Sequence, residues 1–409
     1  MNLVSFAFRN LGRNRRRTVI SILGATLSTA LMVVYGALME GMMDTMRDNI
    51  TRAQLGDLQI HPPDYRDKAG LYLTIPDAAA MVNRLEEKGL YGSARLKDWM
   101  LGATRDNSAG IRVTGIDPVK ESRVTDMHTY IARGKWIATE DPRGVVLGTK
   151  VAKNLGLSPG DELIILGQAA DGSMANDIYR IRGVLKPVDA ITDRSGLWMT
   201  RQAFRDLLLL EHGAHEIALR RVSEEDPLTA AVQRAAQVAP GQEVESWRQM
   251  SPAIADLLDM SGISLGIMFF ITYTALGLLL LNSGLMSVYE RQRELGILKA
   301  LGMRPPSIVV LILLESLLQT LAGVVPGVLL GVGGAWLTEY YPLDLTMFTD
   351  QLAFGGVSMS PEWYGRLTGD VIMQPAIFLF VIIMFSGLYP AIKAARVNPV
   401  ESISGTHGF

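Results

Sequence analysis

The sequence predicts a multi-pass α-helical membrane protein, with four transmembrane helices in a 1 + 3 arrangement and a large α+β extracytoplasmic domain between the first and second helices. Four long apolar stretches contain no Asp, Glu, Lys or Arg, and they lie at residues 18–39, 260–289, 316–338 and 371–392. A helix needs about 20 apolar residues to cross the hydrocarbon core of a bilayer, and each stretch meets that length. Residues 44–260 hold most of the charge and have the composition of a folded domain.

Charge and periodicity divide the whole chain into segments. In order, we predict a cytoplasmic interfacial helix at 1–17, a first transmembrane helix at 18–43, the extracytoplasmic domain at 44–260, a second transmembrane helix at 261–288, a cytoplasmic helix at 289–304, a third transmembrane helix at 305–338, an extracytoplasmic loop at 339–370, a fourth transmembrane helix at 371–392 and a cytoplasmic tail at 393–409.

The distribution of basic residues predicts the orientation. Five arginines precede the first apolar stretch, and no acidic residue occurs before Glu40. The segment between the second and third stretches is also basic, whereas residues 339–370 hold five acidic residues and one arginine, Arg366. Because short basic segments stay on the cytoplasmic side, both termini are expected in the cytoplasm and residues 44–260 outside.

Composition excludes several classes of function. The chain has 409 residues, 48% of them hydrophobic, and a net charge of -2, so no basic surface for nucleic acid is expected. There is no cysteine, which rules out disulfides and thiolate metal sites. The first apolar stretch is longer than the core of a signal peptide, so we predict a retained helix.

The polar region combines short strands with short helices. A helical period over 40–55 predicts an outward extension of the first span, and 247–260 leads into the second span. We further predict strands at 57–61, 110–116, 143–148, 161–167, 178–185 and 215–220, and helices at 77–88, 149–156, 201–210 and 227–238.

This region predicts no catalytic or metal site. His212 and His215 are three residues apart, but without a third ligand we favour a surface loop over a metal site. Asp171 and Gly172 begin a segment that lacks the full calcium-loop pattern and predicts a turn. No Walker loop or nucleophile elbow occurs in the sequence, so this chain is not expected to bind ATP in that way.

The most distinctive motif lies between the second and third apolar stretches, at 288–303. Leucines and charged residues alternate there at three- and four-residue spacings, as in a short amphipathic helix. Such a helix could dock into a groove of a soluble partner; the alternative is a solvated turn whose charges only fix topology.

Several segments together resemble the FtsX-like/MacB-type ABC transporter permease family, and within it the lipoprotein-releasing Lol permeases. The motif ERQRELGILKALG resembles the family's coupling loop, and LLESLLQTLAG and LYPAIKAARVNPVESI resemble its third helix and its C-terminal signature. RNLGRNRRRT resembles the family's opening, and VTGIDP and VVLGTKVAKNLGLSPGDELIIL resemble the Lol-type periplasmic domain.

The resemblance implies a permease of the bacterial inner membrane that binds no cofactor itself, has no ATPase activity of its own and is not an enzyme. ATP and Mg would belong to a separate ABC ATP-binding subunit, present in two copies, and a second permease chain would complete a homodimer or heterodimer. By mechanotransmission the complex would extract lipoproteins or related amphiphiles from the outer leaflet toward a periplasmic acceptor or adaptor protein. A MacB-type efflux permease, or an FtsX-like regulator of a periplasmic cell-wall hydrolase, is the alternative.

The resemblance also assigns site residues. Those expected to couple to the ATPase are Glu290, Arg291, Arg293, Glu294, Leu295, Gly296, Ile297, Leu298, Lys299, Leu301 and Gly302. The resemblance also implies a substrate cavity between the first and second spans of opposed protomers. Candidates for acyl-facing residues of that cavity, each of which could instead be a packing or lipid-facing residue, are Val33, Leu38, Met39, Met42, Met43, Ile263, Ile267 and Phe270.

Two further features lie inside the third span. Glu315 is an intramembrane carboxylate, for which we predict a structural-coupling role rather than substrate contact. It could neutralise Arg291 or Arg304, or it could cap the helix at 289–304. Gly323, Gly327 and Gly331 recur every four residues and predict close helix packing. We favour packing within one chain, and a dimer seam is the alternative.

Overall fold

The computed structural model describes residues 7–8, 15–223, 225–344, 352–354, 357–359 and 362–398, which form two compact units. The helical unit contains the described residues of Met1–Met43, Leu258–Met347 and Glu362–Phe409. The sheet unit contains those of Asp44–Leu257 and Phe348–Pro361. Most of the predicted interfacial helix 1–17, and the end of the predicted tail 393–409, lie outside the described residues.

The first part of the chain alternates strands with short helices after one long helix. Its elements are α1 (Arg15–Ile50), a π-helical turn (Thr51–Leu55), β1 (Leu58–His61), α2 (Ala78–Glu87), β2 (Leu90–Ala103), β3 (Ser108–Ile116), α3 (Pro118–Val124), a 3-10 turn (Met127–Tyr130), β4 (Ile131–Gly134), β5 (Gly144–Leu147), α4 (Thr149–Leu155), β6 (Glu162–Gln168), β7 (Met174–Leu185), α5 (Ala190–Ser195), β8 (Gly196–Thr200), α6 (Arg201–Leu208), β9 (Glu216–Arg221), α7 (Leu228–Val238) and β10 (Glu243–Ser246).

The remainder is largely helical. Its elements are α8 (Trp247–Met250), α9 (Pro252–Glu290), α10 (Gln292–Ala300), α11 (Pro305–Tyr340), β11 (Leu343–Asp344), β12 (Leu352–Phe354), β13 (Val357–Met359), β14 (Glu362–Trp363) and α12 (Gly369–Ala395).

Four helices are long and apolar enough to cross a membrane, as the sequence predicts. They are Thr18–Leu55, Pro252–Glu290, Pro305–Tyr340 and Gly369–Ala395. Pro326 in α11 and two prolines in α12 leave these helices unbroken, which is common in spans because neighbouring helices satisfy the freed backbone groups.

The glycine stripe of α11 lies directly against α1, so the prediction of packing within one chain is confirmed. A Cβ atom added at Gly327 would lie 2.8 Å from the carbonyl oxygen of Thr26, and one at Gly331 would lie 2.7 Å from Cβ of Val33. The hydroxyl of Thr26 donates a hydrogen bond of 3.0 Å to the carbonyl oxygen of Gly323. The two backbones can approach this closely only because the stripe lacks side chains.

A second apolar cluster joins α1, α9 and α12 within the helical unit. Its buried members include Ala25 of α1, Tyr273 and Leu276 of α9, and Leu379 and Ile383 of α12. The four long helices therefore form one packed bundle.

The sheet unit is built on a ten-stranded mixed sheet in the order β10-β1-β9-β2-β3-β8-β5-β7-β4, with β6 pairing with both β2 and β7. Strand β2 is 14 residues long, and its first half pairs with β9 while its second half pairs with β3. The strand therefore belongs to two parts of the sheet that have separate hydrophobic cores, one around Leu85 and Ile217 and the other around Leu163 and Phe204.

The predicted α+β architecture is confirmed, and each predicted strand and helix of the domain is present. The sequence reasoning missed β2, β4, β8 and β10 and the short helices α3 and α5. The predicted turn at Asp171 is also present, with Gly172 at a positive φ of 86°. In the predicted loop 339–370, β11 pairs with β14 and β12 with β13, and the other residues of 345–361 lie outside the described residues.

We expect Gly327→Val to destabilise the bundle by about 1–3 kcal/mol, because the new side chain must push α1 away from α11. The measurement is the thermal unfolding midpoint of the purified chain in detergent. Gly333→Val is the matched control, since nothing lies within 4 Å of a Cβ atom added at Gly333. Equal midpoints for the two variants would contradict the packing described above.

Candidate functional site

Helix α10 lies within the predicted segment 289–304, and local sequence explains both of its ends. The chain leaves α9 at Glu290, and Arg291 separates α9 from α10. After Ala300 the backbone turns at Gly302, whose φ of +93° is a conformation that glycine adopts at helix ends. Pro305 then starts α11, where its missing N–H costs no hydrogen bond.

One face of α10 is fastened to the helical bundle through residues four apart: Arg291, Leu295 and Lys299. Leu295 is fully buried in a cluster with residues of α9, α11 and α12. The ammonium group of Lys299 donates hydrogen bonds of 2.9 and 2.7 Å to the carbonyl oxygens of Ala395 and Val397, just where α12 ends. A cation is favourable there because the last carbonyls of a helix lack partners within it.

Arg291 completes this face by pairing with Glu315 of α11. Its Nη1 atom lies 3.1 and 2.9 Å from the two carboxylate oxygens, and each side chain is 13% exposed. Its Nε atom also lies 3.5 Å from Glu294. Of the two partners that the sequence allowed for Glu315, the structure places Arg291 there.

The opposite face of α10 is free of the bundle. Arg293, Ile297 and Leu301 follow the inward residues by two positions, which is about 200° around a helix with 3.6 residues per turn. Ile297 is 43% exposed and Leu301 is 81% exposed, so two large apolar side chains one helical turn apart are uncovered on this face. We call Arg293, Ile297 and Leu301 the outward face of α10.

The other predicted coupling residues fall between these two faces. Glu290 and Gly302 are exposed, Glu294 and Leu298 are half-buried, and Gly296 is buried. The predicted coupling residues therefore include some that attach α10 to the bundle and others that are exposed on the surface of α10.

The predicted substrate-cavity candidates occupy different environments. Val33 is fully buried against Gly331, so it is a packing residue of the bundle in this chain. The candidates on α9, Ile263, Ile267 and Phe270, are exposed and follow one another at helical spacing. Those near the end of α1 are half-buried; they are Leu38, Met39, Met42 and Met43.

The sheet unit contains a buried ion network that sequence reasoning missed. Arg95 of β2 donates to both carboxylate oxygens of Glu121 at 3.0 and 2.6 Å and to Glu216 at 3.0 Å. It also donates at 2.7 Å to the carbonyl oxygen of Gln54, in the π-helical turn that follows α1. Lys97 donates to Glu216 at 2.6 Å. The network thus fixes the end of the first long helix to the sheet.

His215 corrects the prediction of a surface loop. His212 is exposed, but His215 is fully buried and stacks on Tyr65 with 5.7 Å between ring centres. The backbone N–H of Lys97 donates to its Nδ1 at 2.8 Å, and its Nε2 donates to the carbonyl oxygen of Leu71 at 3.0 Å. Burial lowers the pKa of His215, so the ring is a neutral core residue. Across the described ranges, no group of three or more His, Asp or Glu side chains is placed to hold a metal ion.

A 1 + 3 set of membrane-length helices, an α+β domain after the first helix and a short helix held to the bundle after the second are the features of a multi-pass membrane protein with one large folded domain. Comparison with known families specifies it further. Residues 18–238 match the family model of the MacB-like periplasmic core domain, and residues 266–399 match that of the FtsX-like permease C-terminal region. The chain therefore belongs to the FtsX/MacB family of ABC transporter permeases.

Individual relatives are similar over nearly the whole chain but at low identity. An ABC transporter permease of Methanocaldococcus jannaschii is 21% identical over 99% of this chain and 98% of its own length. The lipoprotein-releasing system transmembrane protein LolC of Neisseria meningitidis is 23% identical over 94% of this chain and 93% of its own length. The macrolide export ATP-binding/permease protein MacB of Wolinella succinogenes is 23% identical over 98% of this chain, which spans 60% of that protein.

One solved structure of the family resembles part of the chain. The periplasmic region of MacB from Actinobacillus actinomycetemcomitans aligns with 52% of this chain and 98% of its own residues, at 10% identity and a TM-score of 0.39.

We expect Glu216→Gln to destabilise the sheet unit by about 3–5 kcal/mol at neutral pH, because Arg95 and Lys97 lose a buried partner. Burial alone would raise the pKa of Glu216, but the charge of Lys97, the His61 ring with its Nε2 3.8 Å away and the charge of Arg95 outweigh it and hold the pKa well below the usual 4.5. In the natural chain this stabilisation is therefore present at neutral pH and is lost as the pH falls below about 4.5.

The measurement is the unfolding midpoint of both chains between about pH 3 and pH 7, and the difference between them should shrink toward acid. Glu245→Gln is the control, because Glu245 pairs with Arg66 at the surface and its loss should cost at most about 1 kcal/mol. A difference that stays constant across this pH range would refute the assigned pKa shift.

Proposed function

We propose that this chain is the membrane subunit on which a separate ABC ATPase acts, and that the ATPase binds the outward face of α10. The observation that carries the proposal is the division of α10 into two faces. Arg291, Leu295 and Lys299 fasten it to the bundle, while Ile297 and Leu301 are exposed. Exposed apolar side chains on a short helix are suited to a hydrophobic groove of a partner.

The proposed orientation puts α10 in the cytoplasm, where an ATPase would meet it. The arginines before α1 and the basic residues around α10 support this orientation, because short basic segments are retained on the cytoplasmic side. Both termini are then cytoplasmic, and the sheet unit is periplasmic.

The contacts of α10 supply a route by which ATPase motion could reach other helices. Arg291 links α10 to α11 through Glu315, and Lys299 links it to the end of α12. The glycine stripe of α11 then packs against α1, and α1 continues to Ile50. Closely packed helices shift as units rather than deforming, so displacement of α10 is passed along these contacts.

The proposal extends to the partners, as the resemblance to the permease family implies. ATP and Mg bind in the ATPase, two copies of which act on two permease chains. Nucleotide-driven closure of the ATPase shifts the equilibrium of this chain between two conformations. The chain itself carries out no chemical step.

Ile297→Asp should reduce association with the ATPase about tenfold or more, because a carboxylate would have to enter an apolar contact. A loss of about 1.4 kcal/mol of binding free energy is enough for a tenfold weaker association. The measurement is the amount of ATP-binding subunit that co-purifies with the tagged chain from native membranes, quantified by mass spectrometry.

The matched control for this variant is Val222→Asp, which introduces the same charge at an exposed apolar position of the sheet unit. Equal recovery of the ATPase with both variants would remove Ile297 from the contact, provided that both chains insert and accumulate normally.

For cargo, we propose lipoproteins or related amphiphiles, extracted from the outer leaflet of the inner membrane toward a periplasmic acceptor. Similarity over nearly the whole chain to a lipoprotein-releasing system transmembrane protein supports this choice. The exposed Ile263, Ile267 and Phe270 of α9 would face the acyl chains, as would the half-buried methionines near the end of α1.

Ile267→Asn should lower the stimulation of ATPase activity by a triacylated lipoprotein, while leaving basal ATP turnover unchanged, because a polar amide weakens contact with an acyl chain. Leu329→Asn is the control, since Leu329 is an equally apolar and exposed residue of α11. Equal stimulation in Ile267→Asn and the control would argue against cargo contact on this face of α9.

A second candidate cargo is a small amphiphilic drug or peptide moved by efflux. This choice is favoured by the similarity, over 98% of this chain, to a macrolide export ATP-binding/permease protein. Stimulation of the ATPase by such compounds and not by lipoprotein would select efflux over lipoprotein release.

A further inference from the structure

The helical unit contains a cavity of about 300 Å³ at the end of the bundle where α10 lies. Residues from α1, α9, α11 and α12 surround it, and Arg291, Glu294 and Glu315 line it as well. Every element of the cavity belongs to the helical unit, so it is a property of a single permease chain.

The lining is unusually polar for a set of membrane-spanning helices. Ser283 and Ser287 of α9 and Ser316 and Gln319 of α11 all contribute to it. Among the residues that the structure describes, these four side chains make no hydrogen bond to other protein groups. A polar group in the apolar core of a membrane is costly unless it finds a partner, and irregular or polar surfaces are tolerated there when they line water.

We propose that this cavity is filled with water, that the water enters from the side of the membrane on which α10 lies, and that it solvates the Arg291–Glu315 pair. Its volume corresponds to about ten water molecules at ~30 Å³ each. A water in a protein cavity needs two to four polar partners, and the serine, glutamine, arginine and glutamate side chains supply them. Cavities that stay empty are lined by apolar groups, and this one is not.

Hydration of the cavity lowers the free-energy cost of separating Arg291 from Glu315. In a dry interior, separating Arg291 from Glu315 would leave two unpaired charges in a medium of low dielectric constant. With water beside both groups, either can be solvated while the other moves. This consequence rests on the proposed function: as the ATPase moves α10, the pair can open and reform within one cycle.

The natural absence of cysteine makes the proposal directly testable in the full chain. Ser283→Cys and Ser316→Cys are nearly isosteric and place a thiol in the cavity. The probe is a charged, membrane-impermeant methanethiosulfonate reagent, added separately to each side of sealed vesicles that contain the chain without the ATPase, which would otherwise cover the outward face of α10. Arg293→Cys, on the exposed side of α10, marks the side on which α10 lies.

We expect both cavity thiols to react from the same side as Arg293→Cys, and about tenfold or more faster than two controls. Ala335→Cys places the thiol in the buried packing of α11, and Leu329→Cys places it on the exposed apolar surface of α11. Cavity thiols that react no faster than these controls, or only from the side opposite Arg293→Cys, would overturn the proposal.

The same experiment separates this proposal from the proposed function. If Arg293→Cys reacts from the periplasmic side, the proposed orientation fails. The cavity thiols are compared with Arg293→Cys itself, so the result for the cavity is read independently of that outcome.

Discussion

The fastening of α10 to the bundle is the constraint on which the transport account depends. A helix of nine residues is too short to be stable alone in water, so α10 exists because its inward face is held. Burial of Leu295 contributes about 1.5–3 kcal/mol, and Arg291 and Lys299 add directional contacts to two different spans. Because one face of α10 is fixed to the bundle, Ile297 and Leu301 on the opposite face occupy a defined position.

A second fixed point lies where the first long helix ends. Arg95 binds the backbone of Gln54 while its charge is balanced by Glu121 and Glu216, all within the sheet unit. Replacing a buried network of this kind by apolar side chains is often neutral for stability, so its value lies in fixing one geometry. Both fixed points use an arginine, whose planar group can hold several partners at once.

Sequence patterns captured features that depend on local spacing and missed those that depend on distant partners. Span length and charge asymmetry predicted the 1 + 3 bundle, and the four-residue spacing of glycines predicted the contact of α11. Strand β2 was missed because Lys97, Asp98 and two glycines obscure its alternation. The partners of Arg95 lie 26 and 121 residues away, and His215 is buried by contacts that no local pattern reveals. Nor could the sequence separate the inward residues of α10 from the outward ones without the positions of α11 and α12.

The most direct test measures whether the nucleotide state of the ATPase changes the position of the sheet unit. Spin labels at Met174→Cys in the sheet unit and Tyr340→Cys at the end of α11 can be placed specifically, because the chain has no cysteine and both side chains are exposed. The distance between the labels is measured by electron spin resonance in the assembled complex, with and without trapped ATP. Our account predicts a nucleotide-dependent shift in the distance distribution. An unchanged distribution in a complex that hydrolyses ATP would contradict it.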